Sequence, residues 1–369
     1  MINAKRLTDE FCSLVSINST SFNEREMADC LKRRLNELGF DVQEDNAGEF
    51  YNGNAGNLYC YIKGDIEGDA VLFSAHMDTV APGEGKQAVV HDDGRITSSG
   101  ATVLGADDMA GVAAIIEALR TIKENNLSHR DIELLFTIAE EAYIKGSSVF
   151  DFKRLKAKTG YVLDMGGKTG AAAIQAPTLI SFEAEVTGRA AHAGFAPEKG
   201  INAIATVSEA ISGIEQGRID DESTLNIGTV SGGTSTNIIS DKCTVRGEVR
   251  SYSHDKALKI IYGVKNKFET ACKKFGAALS FESSVDLTAY KVERDSTVVN
   301  KFDEVCRLLG IDTSYRSTFG GSDNNNLVKN GVEGIVVACG YYNAHTTEEY
   351  IDIAELEKTA AIVLNLMTN

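Results

Sequence analysis

Apolar runs that stop at a histidine or an acid constrain this chain more than any other feature. AVLFSA, residues 70–75, runs into His76 and Asp78, and IELLFTIA, residues 132–139, runs into the adjacent pair Glu140 and Glu141. GYVL, residues 160–163, meets Asp164, and EGIVVACG, residues 333–340, is followed five residues on by His345. Short apolar runs of this kind read as buried strands. A core strand that ends in two like charges has an ordinary explanation, because glutamate belongs at the surface. A lone histidine is commonly a satisfied core residue, too. The recurrence is what those explanations leave out. Open α/β sheets bind ligands at the carboxyl ends of their strands, so four such ends carrying His, Glu and Asp describe one rim.

The residue types point to a metal. Imidazole and carboxylate without thiolate suit zinc, or manganese and cobalt. LGADDMAG adds Asp107 and Asp108 just ahead of a helical run, where an N-cap would be the usual role. Two metals would need a shared carboxylate, and one of the aspartates could supply it. His76 and Asp78 are two apart on an extended segment and face the same way, so Asp78 can orient the imidazole. Neighbouring glutamates cannot face one ligand equally. One of the pair can hold an ion while the other accepts a proton from the water that such an ion activates.

The surrounding pattern predicts two domains, as a length of 369 residues also does. Leu7, Phe11, Leu14 and Val15 mark one amphipathic helix; Met27, Cys30, Leu31, Leu35 and Leu38 mark a second; Met109, Val112, Ile115, Ile116 and Leu119 mark a third. With strands at about 57–63, 70–75, 132–138 and 160–163 between them, the first half reads as an α/β layer domain. From about residue 179 the pattern becomes β-α-β-β-α-β, the ferredoxin-like order, opening on the alternating LISFEAEVTG and closing on AALSFESS. A helix at about 296–309, a strand at 334–339 and a helix near 353–367 restore the first character. The expected organisation is a discontinuous catalytic domain, 1–178 and 288–369, interrupted by an α+β insert at 179–287.

Several function classes are excluded at this level. The net charge of −16 comes with no Lys/Arg-rich run, which argues against nucleic acid. No apolar stretch reaches the roughly 18 residues of a membrane helix. The N-terminus reads as an amphipathic helix and lacks the apolar core of a signal peptide. Seven scattered cysteines, with no CxxC, read as reduced core thiols of a cytoplasmic protein.

The segments SAHMDTV, LGADDMAG, TIAEEA, VLDMGG, RAAHAGFAPEKGINAI, STNIIS and NAHTTEEY resemble, in order and across essentially the whole chain, those of the M20 metallopeptidases, and within them the peptidase T-like branch. The resemblance implies a zinc-peptidase-like α/β/α catalytic domain with an inserted ferredoxin-like lid or dimerisation domain, two divalent metal ions, zinc foremost, and a homodimer. It implies that His76, Asp107 and Asp164 hold one metal and that Asp107, Glu141 and His345 hold the other. Glu140 would be the general base and Asp78 the carboxylate behind His76. In the insert, His192 resembles the lid histidine that stabilises the oxyanion, acting in dimeric members on the partner's site. Asn237 and Arg250 resemble substrate-binding lid positions; Arg250 could pair a carboxylate bidentately, or be a charge on a strand surface. Gly320 and Gly321 resemble a glycine-rich substrate loop, or form an ordinary turn. His91, His129 and His254 match no ligand motif.

Two departures qualify the match. Peptidase T proper is longer and carries proline after the lid histidine, where this chain has Ala193; that bears on substrate length. Asp164 is the ligand type of the aminopeptidases in this branch, whereas deacylases and carboxypeptidases usually carry Glu. The expected activity is removal of the N-terminal residue from short peptides, tripeptides above all. N-acyl-amino-acid deacylation and carboxypeptidase action are the alternatives, separated by whether a free α-amino group is required. A non-catalytic homologue would be expected to have lost a ligand or the base, and none is missing.

Overall fold

Four parallel strands lie side by side in the computed structural model, which describes residues 1–369. Val71–His76 sits between Ile132–Thr137 and Thr159–Met165, and Thr159–Met165 pairs in turn with Glu333–Ala338. Their carboxyl ends therefore share one rim. Antiparallel strands extend the sheet on both sides: Leu58–Ile62 and Val42–Glu44 beyond Ile132–Thr137, and Ala171–Ala176 beyond Glu333–Ala338. Ser314–Ser317 and Tyr290–Lys291 also pair at that second edge.

Every residue of Val71–His76 and Ile132–Thr137 is buried, which is why these strands read as continuous apolar runs without alternation. On one face Phe73 stacks on Tyr161 at 5.8 Å, and Tyr161 meets Phe302 of the helix Thr297–Leu308. The helix Ala106–Asn125 packs on the same central strands and against the helices Ala4–Val15 and Ile353–Thr368. It is apolar nearly all round, as a helix enclosed by others must be. Ile115, Ile116 and Leu119 are buried within it, each contributing roughly 1.5–3 kcal/mol over exposure. On the opposite face Leu72, Leu135, Val162 and Val336 pack with Tyr59, Phe150 and Leu327.

The chain leaves this unit after Gln175 and returns at Lys291. Val292 N–H donates to the Ile174 carbonyl at 2.7 Å, so the outgoing and returning segments are neighbours.

Residues 176–290 form the second unit, with its own core built on Phe182, Val186, Val207, Val245, Val249 and Phe268. Its antiparallel sheet runs Gly217–Asp220, Ser223–Gly232, Lys242–Ser251, Thr178–Thr187, Ala278–Leu287. The helices Ala203–Ser212 and His254–Phe275 pack on it. Without the short edge strand Gly217–Asp220, this is the ferredoxin-like arrangement. The alternation of LISFEAEVTG is explained: Ile180, Phe182, Ala184 and Val186 all face the core.

Some elements had no sequence signal. Ala171–Ala176 is a strand mostly of alanine, with Ile174 the single β-branched side chain to announce it. Ala88–Val90, Arg95–Ser98, Tyr341–Tyr342 and Tyr350–Asp352 make a separate four-stranded sheet from pieces too short to alternate. No helix is long and apolar enough to cross a membrane.

Candidate metal centre

Six side chains converge at the carboxyl rim of the parallel strands. His76 is the last residue of its strand and Asp164 the last but one of its own. Glu140 and Glu141 lie in the turn after Ile132–Thr137, His345 in the loop after Glu333–Ala338, and Asp107 at the head of the helix Ala106–Asn125. The Asp107–Asp108 peptide bond is cis.

Asp107 stands between the two imidazoles. Its Oδ1 is 3.2 Å from His76 Nε2 and its Oδ2 is 3.3 Å from His345 Nε2. Asp164 Oδ1 lies 3.7 Å from His76 Nε2, and Glu141 Oε1 lies 2.8 Å from His345 Nε2. Donor atoms of His76, Asp107 and Glu141 fall within 4.8 Å of one another, as do those of His76, Glu140 and Asp164. Glu140 is thus close enough to ligate, and distance alone does not separate its role from that of Glu141.

Whether this set suits a cation can be argued from the protons. His76 Nδ1 is 2.9 Å from the Asp78 main-chain carbonyl, an acceptor that requires N–H at that nitrogen. A neutral His76 then turns its Nε2 lone pair toward the oxygens of Asp107 and Asp164. Lone pairs aimed at lone pairs need a proton or a metal between them. Without a metal the protons are retained strongly: burial opposes the His76 imidazolium, yet the Asp107 and Asp78 carboxylates outweigh it and hold the ring well above its usual range. Asp107 and Glu141 raise His345 to about 10. Burial, with help from neighbouring carboxylates, pushes Asp164, Glu140 and Glu141 upward. Burial pushes Asp107 up as well, but the two histidines more than reverse that and leave it depressed. So many buried carboxylates around two imidazoles fit divalent cations.

Other groups fix the ligands, and of these the sequence pattern exposes Asp108 but neither Glu349 nor Tyr341. Glu349, buried, accepts from Gly105 N–H at 2.6 Å and Asp107 N–H at 3.0 Å. Tyr341 donates its hydroxyl to Asp107 Oδ1 at 3.1 Å. Asp108 Oδ2 accepts from His76 N–H at 3.1 Å. Glu349 stands in NAHTTEEY beside another glutamate, with no apolar run to mark it, and Tyr341 has no signal. Asp78 also differs in detail from the simple carboxylate–imidazole pair. Its Oδ1 is 3.4 Å from His76 Nδ1, while its two oxygens accept from Glu140 N–H at 2.9 Å and Glu141 N–H at 3.2 Å.

His192, Asn237 and Arg250 lie in the second unit. His192 and Asn237 are exposed and close together: Ala193 N–H donates to the Asn237 carbonyl at 2.9 Å. His192 Nδ1 accepts from Gly194 and Phe195 N–H at 3.1 and 3.2 Å, which places the ring proton on Nε2. Arg250 pairs with Glu248, Nε to Oε1 at 2.8 Å and Nη2 to Oε2 at 3.3 Å. Gly320 N–H is held by Thr318 Oγ1 at 3.0 Å, and Gly321 leads into the buried Ser322 and Asp323. His91, His129 and His254 each have a local partner, in Thr97, the Arg130 carbonyl and Thr178.

Comparison with known proteins agrees with this architecture. The peptidase dimerisation domain of the M20 class matches residues 175–276, nearly the whole second unit. The peptidase family M28 model matches residues 57–209, the stretch from the second strand past Asp164. Over full length the chain is 39% identical to the YqjE protein of Bacillus subtilis (strain 168), covering 100% of this chain and 99% of that one. It is 25% identical to peptidase T of Clostridium perfringens (strain SM101 / Type A), over 98% of each. The solved aminopeptidase PepT from Bacillus cereus ATCC 10987 has 38% identity and a TM-score of 0.92, with 100% of this chain and 98% of that one covered. A tripeptidase structure from Staphylococcus aureus subsp. aureus mu50 has 34% identity and a TM-score of 0.96 over the same shares. The M28 match touches only part of the chain, whereas the insert and the full-length relatives agree with each other, so the chain belongs to the M20 metallopeptidases, in their peptidase T-like branch.

Proposed function

We propose that this hydrolase is a dinuclear aminopeptidase that removes the N-terminal residue of short peptides, tripeptides foremost. The observation that carries the reading is the placement of Asp107, one oxygen toward each imidazole, as a carboxylate shared by two ions would require. His76, Asp107 and Asp164 would hold one ion; Asp107, Glu141 and His345 the other. Zinc is the first candidate, with manganese and cobalt tolerated by the same donors. Bound there, the ions would acidify a water and polarise the scissile carbonyl. Glu140 takes the proton of the attacking water at its carboxylate and hands it to the departing amine.

Asp78 keeps Glu140 and Glu141 at fixed heights through their amides. His192, with Nε2–H free to donate outward, stabilises the oxyanion from the lid. Asn237 and Arg250 contact the substrate from the same domain, and the Gly320–Gly321 loop receives its backbone. The insert, residues 179–287 in the sequence reading, acts as lid and dimerisation surface of a homodimer. A cytoplasmic location fits seven cysteines that are all unpaired. The tripeptide preference rests on the relatives described as an aminopeptidase and a tripeptidase.

A hydrolysis panel tests this, using purified protein loaded with zinc or manganese. Ala-Ala-Ala should be cleaved from its N-terminus, and N-acetylation or EDTA should stop it. Cleavage of N-acetyl-amino acids in its place would move the protein to the deacylases.

A further inference from the structure

We propose that Glu24, a buried residue of the N-terminal segment, is a positioning residue for Glu140; the inference rests on the reading of Glu140 as the base. The turn that carries the two glutamates leaves its strand abruptly. Ala139 has φ +48°, a left-handed conformation uncommon for a residue with a Cβ. The four amides that cross this point are each held by a side-chain oxygen from elsewhere in the chain. Ile138 N–H donates to Asn57 Oδ1 at 3.1 Å, and Ala139 N–H to Glu24 Oε1 at 2.9 Å. Glu140 and Glu141 N–H donate to Asp78. Asn57 is itself fixed, because its Nδ2 donates to the Gly146 carbonyl at 2.9 Å and to Asp45 Oδ2 at 2.8 Å. The turn is strung between three acceptors, and the sequence pattern exposed only Asp78.

Glu24 is the telling member. It is completely buried, and its Oε2 has no hydrogen-bond partner. Its Oε1 accepts from Phe22 N–H, two residues away, at 2.8 Å. Its one hydrogen bond to a distant segment is the one to Ala139. Burying a carboxyl group with one oxygen unpartnered is unfavourable, so Glu24 is a poor choice for stability alone. What it does is fix the amide immediately before the base, at a residue whose backbone would otherwise relax. A small slip there moves the Glu140 carboxylate, and about 1 Å of misplacement can cost on the order of 100-fold in rate.

The test compares Glu24→Gln, which keeps the Oε1 acceptor, with Glu24→Met, which fills similar space and cannot accept. Both are assayed as the metal-loaded full-length protein on Ala-Ala-Ala, beside Glu140→Gln. We expect Glu24→Gln to stay near wild type and Glu24→Met to lose about 10- to 100-fold in kcat, with KM and metal per chain unchanged. A Met variant with wild-type kcat, or a Gln variant equally impaired, overturns the proposal. If Glu140→Gln itself turns over normally, the base assignment falls and the positioning role with it. An inactive Glu140→Gln beside an unaffected Glu24→Met overturns the positioning role alone. Hydrogen exchange on the unaltered protein needs no variant to fold: the amides of residues 138–141 should be strongly protected although they lie beyond the strand, and exchange at loop rates would also overturn the proposal.

Discussion

At the scale of single residues, the site has two layers with different visibility. His76, Asp107, Glu140, Glu141, Asp164 and His345 stand out as candidates because each follows an apolar run or opens a helix, and the fold brings their side chains to one rim. Glu24, Asn57, Tyr341 and Glu349 were not legible, since each acts on a partner far away in the chain. Periodicity reports which face a residue takes, not which distant amide it meets. Glu349 gives a test of the hidden layer. Glu349→Leu removes the acceptor for the Gly105 and Asp107 amides while leaving every proposed ligand in place. Metal affinity, measured by competition against a chelator, should fall about 10- to 100-fold, as for other residues that hold a ligand from behind. An unchanged affinity would mean that the Ala106–Asn125 helix fixes Asp107 unaided.

Elements were legible in proportion to their burial. Strands enclosed on both faces and helices with a wide apolar stripe could be read directly, while three-residue strands and the small-residue strand Ala171–Ala176 could not. The contact between the helix Arg25–Glu37 and the strand Val42–Glu44 is held by charge as well as by burial. Burial would raise the Glu44 carboxyl, but the Arg25 guanidinium, the Gly56 N–H and the Lys32 ammonium reverse this and set it at about 2, against an ordinary 4.5. A depressed carboxyl stabilises the fold above its unfolded value, and that contribution is lost as pH falls from about 4.5 through 2. Screened by the solvent that reaches Arg25 and Lys32, it amounts to about 1–2 kcal/mol. Urea unfolding in EDTA at pH 5, 3.5 and 2 should show Glu44→Gln losing less stability than wild type over that range. Parallel losses would show that the pair is already screened by solvent.

For the whole molecule, the proposed function would make bound metal part of the fold, because the acids at the rim are buried together. Ions that bind only the native state add about 4 kcal/mol per site when present at about 1,000 times Kd. At about 2–4 °C per kcal/mol for a unit of this size, stripping with EDTA should lower Tm by roughly 10 °C or more. A scan with and without chelator measures it, and coincident melts would count against a resident metal. The second unit carries a separate core, so residues 176–290 expressed alone should melt in one cooperative step by circular dichroism. A gradual, non-cooperative melt would show that it depends on the rest of the chain.

The bond from Val292 to Ile174 has a genetic consequence. Because the two crossings are paired, the chain leaves the first unit and re-enters it at one place, like the open end of a loop. A loop can be lengthened, shortened or exchanged without changing the register of the strands beneath it. A gene with its splice points there can exchange the whole insert while the strands that carry His76, Asp164 and the two glutamates are inherited unaltered.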